Sequence, residues 1–296
     1  MFELLLDVRN ALGECVVWCE RSARLLWTDI PGATLYAHHP ASGHTEHWAM
    51  PERLASFALT DKQDGLLLGL ASRLAWFDMA SAVVTPLCEV EPHLPGTRVN
   101  DGRCDRQGRF VFGTFNEADP RPAIGSFYRL NHDLSVERLP LAPVGIANSI
   151  CFSPDGATMY YCDSQEKMIR CCDYDPLSGA ISNARVFADL RSGQGEPDGS
   201  TIDADGYLWN ACWGAGTVVR YAPDGQVERV LTVPVSQPSC VAFGGPAQDV
   251  LYATTARVGL DAAVLAAGPS AGGVFSTRVS GVRGLPETRF QGDAGT

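Results

Sequence analysis

The sequence predicts an all-β chain built as a six-bladed β-propeller of four-stranded blades. Three observations carry this. A strand–turn–strand phrase recurs about six times along 296 residues. Glycine and proline are abundant, at 30 and 19 residues, as a turn-rich chain requires. No helix-length amphipathic window separates the strands, which argues against alternating α/β units.

The phrase is clearest at Ile150-Cys-Phe-Ser-Pro-Asp-Gly-Ala-Thr-Met-Tyr-Tyr-Cys-Asp163, followed by a third strand at 169–175. It returns at 201–212 with 218–225, and at 102–113 with 127–130. Looser copies begin at Cys15, Phe57 and Cys240. Each unit spans roughly 40–50 residues, the length of one four-stranded blade. The expectation is a single domain over residues 1–296. The strand Phe2-Glu-Leu-Leu-Leu-Asp7 stands outside the count and is expected to pair beside 273–277, closing the ring so that no long edge is exposed.

Composition narrows the function classes. The formal net charge is −11, and basic residues are scattered, so a nucleic-acid partner is not expected. No apolar run approaches the roughly 18 residues of a membrane span, and Glu3 and Asp7 interrupt the N-terminal one. A soluble, cytoplasmic protein is the expectation. The ten cysteines form no C-x-x-C pair and fall largely within predicted strands, so they read as buried free thiols. Neither H-E-x-x-H nor G-x-S-x-G occurs, which removes the zincin and common serine-hydrolase patterns. His38, His39, His44 and His47 flank the turn at 40–43 and read as a solvated hairpin rather than a metal site. The tryptophans read as inter-blade packing, with Trp213 the one that could instead wall a ligand pocket.

Register then points to a site. Residues just ahead of the innermost strands converge at one mouth of a propeller channel, however far apart in sequence. The six anchors are Glu14, Ser56, Asp101, Asn148, Asp198 and Ser239, separated by 42, 45, 47, 50 and 41 residues. All are polar. Asp198-Gly199 and Asp101-Gly102 also fit ordinary turn chemistry, but the shared spacing favours a site. Glu14, Asn148 and Asp198 bring hard oxygen donors suited to one divalent cation with positions left for water and substrate.

The motifs Gly13-Glu14, Arg98-Val-Asn-Asp-Gly102, Gly113-Thr114, Asn148-Ser149, Pro197-Asp-Gly199 and Ala253 through Arg257 stand in an order that resembles the regucalcin/gluconolactonase (senescence marker protein-like) family of sugar-lactone lactonases. The resemblance covers essentially the whole chain. It implies Glu14, Asn148 and Asp198 as metal ligands, with Asp198 also the proton-transfer residue, and Arg98 and Asn100 as substrate contacts. The family's acidic substrate contact falls on Glu117 or, alternatively, Asp119. Cys15-Val16 stands where many relatives carry a small residue and then proline. The implied reaction is metal-dependent hydrolysis of an aldonolactone, a small-molecule substrate, with Ca, Mg, Mn, Zn or Fe(II) as candidate ions. The stretch 113–119 leans toward a pentonolactone. A non-enzymatic calcium-binding regulator or scaffold, and a propeller hydrolase of other esters, are the competing readings.

Overall fold

The computed structural model describes residues 1–292. Six antiparallel four-stranded sheets follow one another around a ring. Their innermost strands are Gly13–Cys19, Leu54–Leu59, Thr97–Cys104, Ala147–Phe152, Glu196–Ile202 and Pro238–Gly244. The sixth blade takes its outermost strand from the other end of the chain: Glu3–Leu6 pairs antiparallel with Val274–Arg278, Glu3 opposite Ser276. That is the ring closure the sequence predicts.

Burial falls from the axis outward. Leu54–Leu59, Ala147–Phe152 and Pro238–Gly244 are buried at every position, while the outermost strand Val136–Arg138 is exposed at all three. Alternate side chains of each inner strand enter the layers on either side of its blade. Val16 and Trp18 face the sixth blade, packing with Ala242 and Tyr252, whereas Cys15, Val17 and Cys19 face the second with Phe57 and Leu68. One apolar cluster fills each of the six blade interfaces. The tryptophans serve these layers as expected: Trp18 stacks on Tyr252, and Trp209 and Trp48 meet Phe243 and Phe77 edge-on. The ten cysteines are free, nine of them buried. His39 and His44 face each other across the outer hairpin of the first blade, and His38 Nδ1 lies 2.8 Å from Thr45 Oγ1.

Two features go beyond the repeat. A short helix, Ala262–Ala267, interrupts the loop before the last strand, its first turn capped by Asp261 accepting from Val264 N at 2.8 Å. Residues 279–292 then run across the face of the ring opposite the anchors. Gly284 N donates to Gln248 O at 2.7 Å, Ala204 N to Arg283 O at 2.8 Å, Phe290 N to Leu59 O at 2.8 Å and Gln291 N to Gly108 O at 2.9 Å. Buried Phe290 fills the layer between blades two and three, against Trp76. Among the described residues no helix is long and apolar enough to cross a membrane.

Fully buried Asp203 ties the fifth blade together. Its Oδ1 accepts Asp205 N and Tyr207 N at 3.0 Å, closing the turn, and its Oδ2 accepts Trp209 Nε1 at 2.9 Å and Arg220 Nη2 at 2.7 Å. Removing the carboxylate leaves the buried Trp209 indole without an acceptor and the Arg220 guanidinium with only the more distant Glu228 and Asp205, at 3.3 and 3.8 Å. Asp203→Ala is therefore expected to lower stability by about 3–5 kcal/mol in urea denaturation; a loss below about 1 kcal/mol contradicts this account.

Candidate active site

The anchors sit within the innermost strands rather than ahead of them, which corrects the sequence-based placement. Each of these strands breaks register at its anchor: between Glu14 and Val17, Leu54 and Ser56, Val99 and Gly102, Asn148 and Cys151, Pro197 and Ser200, and Pro238 and Cys240. A bulge adds a residue to one strand and re-aims the side chains beside it. In the first and fourth blades the residue after the anchor takes the left-handed conformation, Cys15 at φ 48° and Ser149 at φ 60°.

The glycines after Asp101 and Asp198 also differ from the turn reading. Both lie inside strands, and a Cβ on Gly199 would meet Cys240 at 2.7 Å while one on Gly102 would meet Phe110 at 2.5 Å. They let neighbouring chains approach near the axis.

The strands bearing the candidate ligands are fixed by their neighbours. Asp29, at the end of the second strand of blade one, accepts Ala11 N at 3.1 Å and Leu12 N at 3.0 Å, setting the approach to Glu14. Asp163 does the same for Asn148, accepting Gly145 N at 2.7 Å and Ile146 N at 3.1 Å. Asp198 O receives Ser149 Oγ at 2.6 Å and Asn210 Nδ2 at 2.9 Å, and Pro197 O receives Ser164 Oγ at 2.7 Å. Ser239 Oγ donates to Gly13 O, stitching blade six to blade one.

Around this frame the polar side chains form one chain of contacts. Arg98 Nη1 donates to Asn100 Oδ1 at 2.6 Å, Asn100 Nδ2 to Asn148 Oδ1 at 3.1 Å, and Asn148 Nδ2 to Ser164 Oγ at 2.9 Å. Asp198 is buried, and its Oδ1 has no hydrogen-bond partner. Burial lifts its carboxyl well above the ordinary carboxylate range, with the charges of Glu14 and Asp101 adding to the effect. Burial, then the charge of Asp101, pushes Glu14 up to about 8. Glu14 retains a partial opening to solvent, so water tempers this more at Glu14 than at Asp198. Both carboxyls are thus pushed up by burial and by the charge of neighbouring carboxylates. Added to the carboxamide oxygen of Asn148, that donor set fits a divalent cation.

Asp101 has a structural task that the sequence did not reveal: its Oδ2 accepts Ile150 N at 2.8 Å, bridging blades three and four. Glu117 follows the strand Phe110–Asn116 at the same mouth, with Arg53 Nη1 and Nη2 on its two oxygens at 2.5 and 2.8 Å and Arg98 Nε at 3.6 Å. Asp119 is exposed two residues further on. Arg98 is buried with its guanidinium 4.4 Å from the Phe115 ring centroid, and Arg121 lies 4.6 Å from that centroid. Burial draws the Arg98 pKa down to about 10. Trp213 ends its strand at this mouth, half-exposed. Among the described residues no three His, Cys, Asp or Glu side chains group as a metal site, the four clustered histidines included. A groove of about 710 Å³ on the opposite face, lined by Thr60, Trp76, Asp78 and Phe290, contains none of the anchor side chains.

Fold and site together define a propeller with a cluster of polar side chains at one end of its channel. The family model described as the SMP-30/gluconolactonase/LRE-like region matches residues 12–257, and the chain belongs to that family. It is 53% identical over 290 residues to an L-arabinolactonase of Azospirillum brasilense, covering 98% of this chain and 95% of that protein. It is 34% identical to a 6-deoxy-6-sulfogluconolactonase of Pseudomonas putida, covering 96% of each. The crystal structure of a calcium-binding protein, regucalcin, from Agrobacterium tumefaciens superposes with a TM-score of 0.92 at 34% identity, covering 97% of this chain and 96% of that one.

The raised Glu14 carboxyl makes a prediction for metal-free protein. The folded state holds a proton at Glu14 up to about pH 8, whereas the unfolded chain releases it near 4.5. Folding stability is therefore greatest below the lower value and falls as pH rises toward the upper one. Thermal melts in chelator are expected to show this decline, and Glu14→Gln should make it shallower, leaving the part due to Asp198, and melt higher than wild type at pH 8. Parallel pH profiles for the two proteins would count against the close carboxylate pair.

Proposed function

We propose that the chain hydrolyses a sugar lactone to its aldonic acid, with L-arabinonolactone or a similar pentonolactone as substrate and one divalent cation as cofactor. The observation that carries this is the convergence of two carboxyls raised by burial and neighbouring charge, Glu14 and Asp198, with the Asn148 amide on the inner strands at the channel mouth. The 53% identity to an L-arabinolactonase supports the substrate class.

Glu14, Asn148 and Asp198 would hold the cation, with Ca, Mg, Mn, Zn and Fe(II) all compatible with the oxygen donors. When bound it supplies Lewis-acid polarisation of the lactone carbonyl and lowers the pKa of water. The protein's own groups handle the rest. Asp198 Oδ1, free of other hydrogen bonds, takes the proton of the attacking water. As the new C–O bond forms and the ring C–O bond breaks, the same carboxyl returns that proton to the departing ring oxygen. Arg98 offers hydrogen-bond donors to the sugar hydroxyls, and Asn100, whose Nδ2 is spent on Ala147 O and Asn148 Oδ1, offers the remaining acceptor capacity of its Oδ1. Glu117 offers a further acceptor.

A calcium-binding role without turnover is the second reading, favoured by the description of the Agrobacterium relative as a calcium-binding protein. The two separate on catalysis. Metal-reconstituted protein is expected to hydrolyse pentonolactones faster than hexonolactones, in saturable fashion and reversibly abolished by chelator. Cation affinity with every lactone left at its spontaneous rate would falsify the lactonase reading. Asp198→Asn is expected to lower kcat by about 10²–10⁴-fold; near-wild-type turnover would place the base elsewhere.

A further inference from the structure

Arg53 precedes the inner strand of the second blade and belongs to none of the motifs around the pocket. Its guanidinium nevertheless reaches Glu117 on the third blade, 64 residues away, in a two-point fork at 2.5 and 2.8 Å. Glu117 is held at its backbone as well, its N–H donating to Gly96 O at 3.0 Å. The Arg53 fork thus fixes both the position and the plane of the carboxylate. Arg98 Nε stands 3.6 Å from one of the same oxygens, so Glu117 is the acidic centre between an outer and an inner arginine. Each carboxylate oxygen keeps acceptor capacity beyond the arginine bond, which a sugar hydroxyl can use.

Resting on the lactonase reading, we infer that Arg53 is a positioning residue for substrate: it holds the Glu117 carboxylate where it accepts hydrogen bonds from the hydroxyls of the lactone. A merely structural ion pair is a poor account of the same contact. The side chains of Arg53 and Glu117 are 41% and 37% exposed, and pairs that open to water contribute only about 0–1 kcal/mol to stability. The fork also lowers the carboxyl pKa of Glu117. An ammonium in place of the guanidinium supplies the charge without the fork.

The test is steady-state kinetics on metal-reconstituted protein with a hydroxylated pentonolactone and with unsubstituted γ-butyrolactone. Arg53→Ala is expected to raise KM for the pentonolactone about tenfold, to change kcat less than about twofold and to leave KM for γ-butyrolactone unaltered, a pattern that marks lost substrate binding rather than lost transition-state stabilisation. Arg53→Lys should recover part of the loss. In the Glu117→Ala background the Arg53→Ala change should have no further effect, because Arg53 acts through that carboxylate. The inference is overturned if KM for the pentonolactone stays at the wild-type value, if both substrates are affected equally, or if the two substitutions add. Wild-type protein inactive on every lactone removes the lactonase reading, and the inference with it; wild-type turnover with an unaffected Arg53→Ala variant removes the inference alone.

Discussion

Everything at the channel mouth depends on keeping Asp198 buried while Glu14, only partly open to water, acts on it by charge. Like charges in a poorly solvated space repel strongly, and mobile side chains would turn outward to escape. The fold prevents this by registering each ligand-bearing strand from a neighbour. Asp29 and Asp163 pin the approaches to Glu14 and Asn148, while Ser149, Ser164 and Asn210 hold the backbone on either side of Asp198. Most of these bonds join residues on different strands or blades, so the pocket is a property of the closed ring. The terminal strand Glu3–Leu6 contributes to it from the far edge of the sixth blade by completing that sheet.

Most of the architecture was legible because a propeller repeats its chemistry at a fixed interval. Apolar inner strands must fill equivalent layers, so the interruptions, polar residues at 14, 56, 101, 148, 198 and 239, keep the same spacing. The exact place of those residues was not legible. A bulge is a matter of two residues facing one across a ladder, and the sequence does not encode it separately from a turn. Asp-Gly looked like turn chemistry at 101–102 and 198–199, whereas the structure uses those glycines for close approach near the axis. The strap at 279–292 lacks the repeat's alternation, so nothing in its pattern announced that Phe290 would fill a layer between blades. Arg53 was invisible for a different reason: a contact across 64 residues leaves no local signature.

Charge at the mouth is unevenly spread. Glu14, Asp101 and Asp198 lie near one another, while Arg53, Arg121 and the buried Arg98 surround the carboxylate of Glu117. A ligand with an electrophilic carbonyl at one end and several hydroxyls at the other matches that gradient in one orientation. Reversed, it would set its hydroxyls against the acidic axis and its carbonyl among arginines already engaged with Glu117, Asn100 and backbone oxygens.

The same gradient bears on what happens after ring opening. Hydrolysis converts a neutral lactone into an aldonate, so a negative charge appears at the end of the ligand nearest Glu14 and Asp198. A divalent cation held there would offset the charges of Glu14 and Asp198, so the pull on the new carboxylate toward Arg53, Arg98 and Arg121 would come from their own positive charge. Glu117 limits that pull, because its carboxylate already offsets part of their charge. A rim of unpaired arginines would trap the product. On the proposed reading, one fixed acid among three arginines would let the site orient a polyhydroxylated substrate by hydrogen bonds and still release an anion.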